Sequence, residues 1–102
     1  NITTGIFRVY QEALTNVMRH AQATLIKSVL EQTGEEIILT IQDNGKGFET
    51  GEAKTGKTLG LLGMVERAKM LNGKLKIESK KNEGTTIILK IPLIASTYTT
   101  TT

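Results

Sequence analysis

The sequence contains no cysteine and no tryptophan, one proline, one histidine, two phenylalanines and two tyrosines. Without cysteine there can be no disulfide, no zinc–thiolate site and no thiol nucleophile, and the chain suits a reducing compartment. His20 has no second imidazole or thiol at metal-ligand spacing, which argues against a zinc centre. With aromatics at 4% and hydrophobic residues at 38%, the core has to be aliphatic. No apolar run approaches the roughly 18 residues of a membrane span, and no signal-peptide pattern is visible. A large excess of one charge is missing too: 13 basic and 10 acidic residues leave +3. The lysines are scattered, with Lys46, Lys54 and Lys57 in one stretch and Lys74, Lys76, Lys80 and Lys81 in another, the pattern of a solvated surface. A nucleic-acid binder would concentrate them and interleave stacking aromatics. The 102 residues suffice for one small domain. The opening at Asn1, without methionine, leads us to expect a longer parent protein.

The most informative stretch is Asp43-Asn44-Gly45-Lys46-Gly47-Phe48. It follows Ile37-Ile38-Leu39-Thr40-Ile41, an apolar run of strand length, and precedes a polar segment. A carboxylate is thus placed just beyond a strand, followed by two glycines that let backbone approach a ligand. Asn-Gly is also a hairpin-turn signal, and the stretch alone does not separate the two readings.

Ile6 to Ala21 is helical in period. Ile6, Val9, Tyr10, Ala13, Leu14, Val17 and Ala21 form one apolar face, and Thr3 or Thr4 is placed to cap the start. The other face carries Arg8, Glu12, Asn16 and Arg19, with His20 at its edge. Glu12, Asn16 and Arg19 fall in line at spacings of four and three. Such a face is either merely solvated or the wall of a pocket. Asn16, a mediocre helix former in mid-helix, gives the second reading some support and leaves both open. His20 reads equally as a packing or capping residue.

Leu25–Gln32 and Glu36–Gln42, joined at Thr33-Gly34-Glu35, read as an antiparallel hairpin. Residues 49–59 have no apolar periodicity and read as a mobile lid or a slack surface loop. Gly60-Leu61-Leu62-Gly63-Met64 opens a second helix, with Leu62, Val65, Ala68, Met70 and Leu71 mostly inward and Gly73 as its stop. Glycines at a helix start leave N–H groups uncovered where the dipole is positive, a phosphate-binding arrangement. It is neither a Walker A loop nor a dinucleotide fingerprint. Leu75–Lys80 and Thr85–Ile91 read as a further hairpin. Ile87, Leu89 and Ile91 share one face, Thr86, Ile88 and Lys90 share the other, and Pro92 ends the strand. Residues 94–102 show no core pattern and read as a disordered tail or an appended remnant.

Four blocks stand in order: Gln11-Glu12-Ala13-Leu14-Thr15-Asn16 with Arg19-His20-Ala21; Asp43 to Phe48; Gly60 to Met64; and Gly84-Thr85 followed by Pro92. Together they resemble the GHKL family of ATP-binding domains. They look most like the catalytic domain of sensor histidine kinases in the subgroup coupled to NarL/LuxR-type response regulators. The resemblance covers about residues 5–93. It implies an α/β two-layer sandwich, the Bergerat fold: a mixed sheet with helices on one face and ATP between the helices and a lid. It implies a domain over 1–93 whose usual first strand, before the first helix, is missing here.

Carried onto this chain, the resemblance makes Asp43 the acceptor for the adenine amine. Gly45 and Gly47 would let backbone approach the base, and Thr85 would lie near it. Asn16 would be the Mg²⁺ ligand, with Glu12 beside metal and phosphates as the other catalytic candidate. Arg19 and His20 would face the phosphates, and Gly60, Leu62 and Gly63 would lie at the lid and phosphate end. The implied cofactors are ATP and Mg²⁺. The implied partners are a helical dimerisation domain bearing the phosphoacceptor histidine and a response regulator, with no nucleic acid and no membrane contact by this domain. The parent would be a homodimer and cytoplasmic, whether or not anchored in the membrane. His20 is not the acceptor, so this chain alone would bind ATP without autophosphorylating. The competing readings are a serine kinase or ATPase of the same fold, a non-catalytic nucleotide-binding interaction module, and a basic nucleic-acid binder.

Overall fold

The structure, a computed structural model, describes residues 2–47 and 59–93. The elements run in the order α1 (Ile2–Asn16), a π-helical turn (Val17–Ala21), β1 (Ile26–Gln32), β2 (Glu36–Asp43), α2 (Leu59–Met70), β3 (Lys74–Lys80) and β4 (Gly84–Pro92). The strands form one sheet in the order β1-β2-β4-β3. Every pairing in it is antiparallel, so the expected mixed sheet is wholly antiparallel among the described residues. The two expected hairpins are both present. Their short turns suffice because antiparallel neighbours need no crossover.

The alternation of β2 and β4 sets the layers. Leu39, Ile41, Ile87, Leu89 and Ile91 are buried on one face, where they meet Val9 and Ala13 of α1 and Met64 and Ala68 of α2. The expected division of β4 holds: Ile88 is half-buried and Lys90 exposed on the other face. β1, by contrast, is exposed along its whole length.

Several boundaries and faces differ from expectation. α1 starts at Ile2, so Thr3 and Thr4 lie within its first turn rather than capping it. Its last turn widens into the π-helix, which ends at Gln22 in the left-handed region (φ 52°). The wider turn puts Arg19 out of step with the Glu12–Asn16 stripe. Leu59, expected in the loop, is the first residue of α2. In α2 the buried stripe is Met64 and Ala68 with Leu71 packed against the core, whereas Leu62 is 56% and Met70 80% exposed. Spacings of four and three from Met64 select that stripe, and Leu62 and Met70 fall outside it. Asn72 (φ 59°), not Gly73, takes the left-handed stop. Its N–H donates to the Lys69 carbonyl (3.0 Å) and the Gly73 N–H to that of Ala68 (2.8 Å), a Schellman motif. Gly73 is needed for closeness, since a Cβ there would stand 2.8 Å from the Lys90 carbonyl oxygen.

Glycine contacts also fix how the helices run. A Cβ on Gly5 would lie 2.5 Å from the Leu71 side chain, and one on Gly63 would lie 2.9 Å from Glu12 Oε2. Residue 5 beside 71 and residue 12 beside 63 make α1 and α2 antiparallel, and the same pairing carried forward brings Asn16 level with the first turn of α2. Ile2 and Pro92 line one cavity, and Tyr10 Oη accepts from Ser28 Oγ (3.4 Å), opposite Ile41. α1 thus runs from the Pro92 end of the sheet toward the Asp43 end.

Candidate functional site

Asp43 is the last residue of β2, pairing with Ile26 on one side and Thr85 on the other. It therefore belongs to the strand instead of lying beyond it. Thr85 in turn pairs with Ser79, so Ile26, Asp43, Thr85 and Ser79 form one row across the helix-covered face. Asp43 and Thr85, 6% and 9% exposed, are the buried polar side chains among the described residues. Asp43 Oδ1 accepts from the Gly45 N–H (2.8 Å), which bends the chain as it leaves the strand. Among the described residues Oδ2 has no hydrogen-bond partner. A buried carboxylate oxygen left open at a sheet end is suited to accept from a ligand N–H, because its own desolvation is otherwise uncompensated. Thr85 Oγ1 and Ser79 Oγ share a hydrogen bond (2.8 Å), and Ser79 also donates to the Gly84 carbonyl (3.1 Å).

Gly47 (φ 60°) and Gly84 (φ 86°) are in the left-handed region. A Cβ on Gly47 would stand 2.1 Å from the Lys80 carbonyl oxygen, and one on Gly84 would stand 2.1 Å from that of Asp43. Gly47 is thus required where the post-β2 segment lies against the β3–β4 turn, a contact closed by the Asn82 N–H donating to the Lys46 carbonyl. Gly45 is buried beside it.

On the helical side, Glu12 and Asn16 are half-buried on α1, one turn apart. Since α1 runs about 9 Å beyond Tyr10 to reach Asn16, the carboxamide stands at the Asp43 end. There it adjoins the start of α2, with Gly60 in the first turn and Gly63 facing Glu12. The uncovered N–H groups and dipole of that turn give positive potential. Arg19 is exposed on the π-helical turn, and the side chain of His20 lies outside the described residues, as do residues 48–58 and 94–102, where the lid and tail were expected. The sandwich thus brings Asp43, Thr85, Asn16 and the α2 N-terminus to one end, with Glu12 a turn behind. Exposed Leu62 stands near the same helix start, and exposed Arg19 lies on the π-helical turn that follows Asn16.

The donors fit the groups that such a site would hold. Asn16 and Glu12 offer hard oxygens, and no cluster of three or more histidines, cysteines or carboxylates that could hold a metal is present among the described residues. That sparse set suits Mg²⁺, which keeps waters and shares phosphate oxygens. A cavity of about 530 Å³ lies at the opposite end, between Ile2, Arg8, Arg67, Met70 and Pro92. The seven residue steps from Thr85 to Pro92 set its Pro92 wall about 23 Å from the Asp43 row, and its link to the site is Arg67, which reaches Glu12.

Sequence reasoning missed three supports. Asn44 Oδ1 accepts from the N–H groups of Thr24 (2.9 Å) and Leu25 (3.0 Å), and its Nδ2 donates to Thr24 Oγ1 (2.9 Å), so it anchors the start of β1. Ser79 could have been found from parity, since it follows inward-facing Leu75 and Ile77. Arg67, whose Nε lies 2.6 Å from Glu12 Oε1, falls in the Gly-Leu-Leu-Gly-Met-x-Glu-Arg-Ala run typical of the subgroup, but nothing in that run pairs it with Glu12.

Comparison with known proteins identifies the family. Residues 1–95 match the family described as histidine kinase-, DNA gyrase B- and HSP90-like ATPase. Over 93 residues, 91% of this chain and 24% of the relative, the sequence is 44% identical to the signal transduction histidine-protein kinase/phosphatase DegS of Brevibacillus brevis. It is 40% identical over 92 residues to the oxygen sensor histidine kinase NreB of Staphylococcus carnosus, covering 90% of this chain and 26% of that protein. The chain therefore spans about a quarter of the length of these relatives. In fold it is similar to the Acinetobacter baumannii histidine kinase AdeS (TM-score 0.76, 23% identity, 90% of this chain and 47% of that one). It is likewise similar to the ATP-binding domain of PrrB from Mycobacterium tuberculosis (TM-score 0.72, 24% identity, 87% and 67%). No described helix is long and apolar enough to cross a membrane. With the family model spanning nearly the whole chain, this protein belongs to the histidine kinase-, DNA gyrase B- and HSP90-like ATPases.

Proposed function

We propose that this chain is the ATP-binding module of a two-component sensor histidine kinase, acting on a histidine carried by a separate helical dimerisation domain. The observation that carries the reading is the open Oδ2 of buried Asp43, at the same end of the sandwich as Asn16 and the α2 N-terminus. Asp43 accepts from the adenine amine, and Thr85 lies beside it in the row. Asn16 offers its carboxamide oxygen to Mg²⁺, Glu12 polarises or orients water nearby, and the first turn of α2, with Gly60, presents N–H groups to the phosphates. Bound there, Mg²⁺ supplies charge neutralisation and geometry for the phosphate chain. In the whole kinase the bond from the γ-phosphorus to the bridging oxygen breaks, a bond to the imidazole nitrogen forms, and ADP leaves.

Similarity to DegS and NreB, and the Gln-Glu-Ala-Leu-Thr-Asn spelling, favour this reading over a serine kinase of the same fold. They also favour a NarL/LuxR-type response regulator as the next acceptor, and in our reading the parent is a cytoplasmic homodimer. Calorimetric titration with a non-hydrolysable ATP analogue, with and without Mg²⁺, tests the module. Binding strengthened by Mg²⁺ is expected. A folded protein that binds no nucleotide in either condition would overturn the reading.

A further inference from the structure

Glu12 belongs to α1, yet what fixes its carboxylate belongs to α2. Arg67 Nε stands 2.6 Å from Oε1, and the two side chains are only 36% and 29% exposed. The other oxygen, Oε2, sits in the notch left by Gly63, where a Cβ would come within 2.9 Å of it. One oxygen is held by a short charge-assisted bond and the other by a bare stretch of helix. Arg8, four residues before Glu12 on its own helix, is exposed and lines the far cavity with Arg67. An Arg–Glu pair at that spacing, with Arg first, has the weaker orientation. The carboxylate instead reaches across to the neighbouring helix.

We infer that Arg67 is a positioning residue: with Gly63 it sets the Glu12 carboxylate one turn behind Asn16, so that the placement of α2 governs how Glu12 serves the Mg²⁺-bound phosphates. This rests on the nucleotide-binding function proposed above. An ion pair this exposed contributes little to stability. A purely structural role would therefore move the melting temperature slightly and leave nucleotide binding alone. The positioning role acts through Glu12, so it is visible only where Mg²⁺ is present and only while Glu12 is there to be placed.

The test is calorimetry of the chain with a non-hydrolysable ATP analogue, with and without Mg²⁺, on wild type and variants. Arg67→Gln should weaken Mg²⁺-supported binding roughly tenfold, as removal of a group behind a metal site does, and leave Mg²⁺-free binding unchanged. Arg67→Lys should restore part of the loss. Gly63→Ala, which keeps the guanidinium but crowds Oε2, should reproduce it. In a Glu12→Gln background Arg67→Gln should add nothing. Equal losses with and without Mg²⁺, or a loss that adds to that of Glu12→Gln, would mean that Arg67 serves the nucleotide independently of Glu12, and would overturn the inference. An unchanged affinity in a folded Arg67→Gln protein would overturn it as well, while leaving the nucleotide-binding reading intact. Absence of wild-type binding would remove both.

Discussion

Asp43 and Asn16 stand at the same end of the sandwich but are held there in opposite ways. Asp43 is buried at the end of a strand, flanked by strand partners on both sides, with its carbonyl pressed against Gly84 and its Oδ1 tied to the next turn. Backbone geometry does the holding. Asn16 is half-buried at the end of an α-helix, where the chain passes into a π-turn, and its neighbour Glu12 is fixed by an arginine side chain from another helix. Side-chain contacts do the holding there. The base-reading half of the site should then be rigid and intolerant, and the metal-side half adjustable. Each substitution below probes one side of that contrast.

The largest effect is expected at Gly84. Alanine there combines a left-handed backbone with a Cβ 2.1 Å from the Asp43 carbonyl oxygen. The backbone term is about 1–2 kcal/mol and forced overpacking adds about 1–3 kcal/mol. In a domain of ordinary marginal stability the sum, about 2–5 kcal/mol, is a large share of the total. Chemical denaturation should show this loss, and nucleotide affinity should fall with it because Asp43 is displaced. A Gly84→Ala protein as stable as wild type would show that the strand end is not the rigid partner.

Asp43→Ala comes next, and separates stability from binding. Removing the carboxylate loses the charge-assisted bond to the Gly45 N–H but also relieves the uncompensated burial of Oδ2, and so should cost the fold no more than about 1 kcal/mol. It should cost the nucleotide about 10- to 100-fold in affinity, since a hydrogen bond to a charged group is worth roughly 1.5–3 kcal/mol. Calorimetry beside a thermal melt reads both. Unchanged affinity would take the adenine away from Asp43.

This half of the site was largely legible in the sequence. An apolar run of strand length ending in Asp-Asn-Gly-Lys-Gly places a carboxylate at a strand end whichever way the turn folds. Period two in Ile87, Leu89 and Ile91 then assigns Thr85 to the same face. The reason for the glycines was not legible. Gly47 and Gly84 answer to carbonyl oxygens of Lys80 and Asp43, contacts between segments far apart in sequence. Asn44 reads as a turn residue from its neighbours, but its side chain anchors β1 some twenty residues back. On the helical side, period 3.6 found the α1 stripe and its Glu12–Asn16 line, but not the π-turn on which Arg19 stands. The inward face of α2 was misjudged at Leu62 and Met70, because seven apolar side chains in a twelve-residue helix fit more than one stripe. The role of Arg67 was invisible, although it falls in the Gly-Leu-Leu-Gly-Met-x-Glu-Arg-Ala run, since only the antiparallel packing of α1 on α2 brings it to Glu12.

Asn16→Ala should act more weakly than Asp43→Ala, and conditionally. The side chain is half-exposed and supports no described core contact, so stability should change by less than about 0.5 kcal/mol. Binding of the ATP analogue should lose most of its Mg²⁺ enhancement while the Mg²⁺-free affinity stays put. Equal losses in both conditions would assign Asn16 to the nucleotide rather than to the metal.

The smallest effect on stability belongs to the pair that fixes Glu12. Its geometry is good, with a short Nε–Oε1 contact of 2.6 Å, but both partners are about a third exposed. Water screens such charges, and two long side chains lose rotamer freedom to meet. The net contribution is then about 0.2–1 kcal/mol, against several for the backbone contacts around Asp43. A double-mutant cycle of Glu12→Gln and Arg67→Gln, read by denaturation without ligand, should return a coupling within that range. A coupling above about 2 kcal/mol would mean that the helix pair depends on this bond for its packing. The adjustable half would then be as rigid as the strand end, and the contrast between Asp43 and Asn16 would fail. A small coupling leaves Glu12 free to shift whenever α2 shifts, which a rigidly built carboxylate such as Asp43 cannot do.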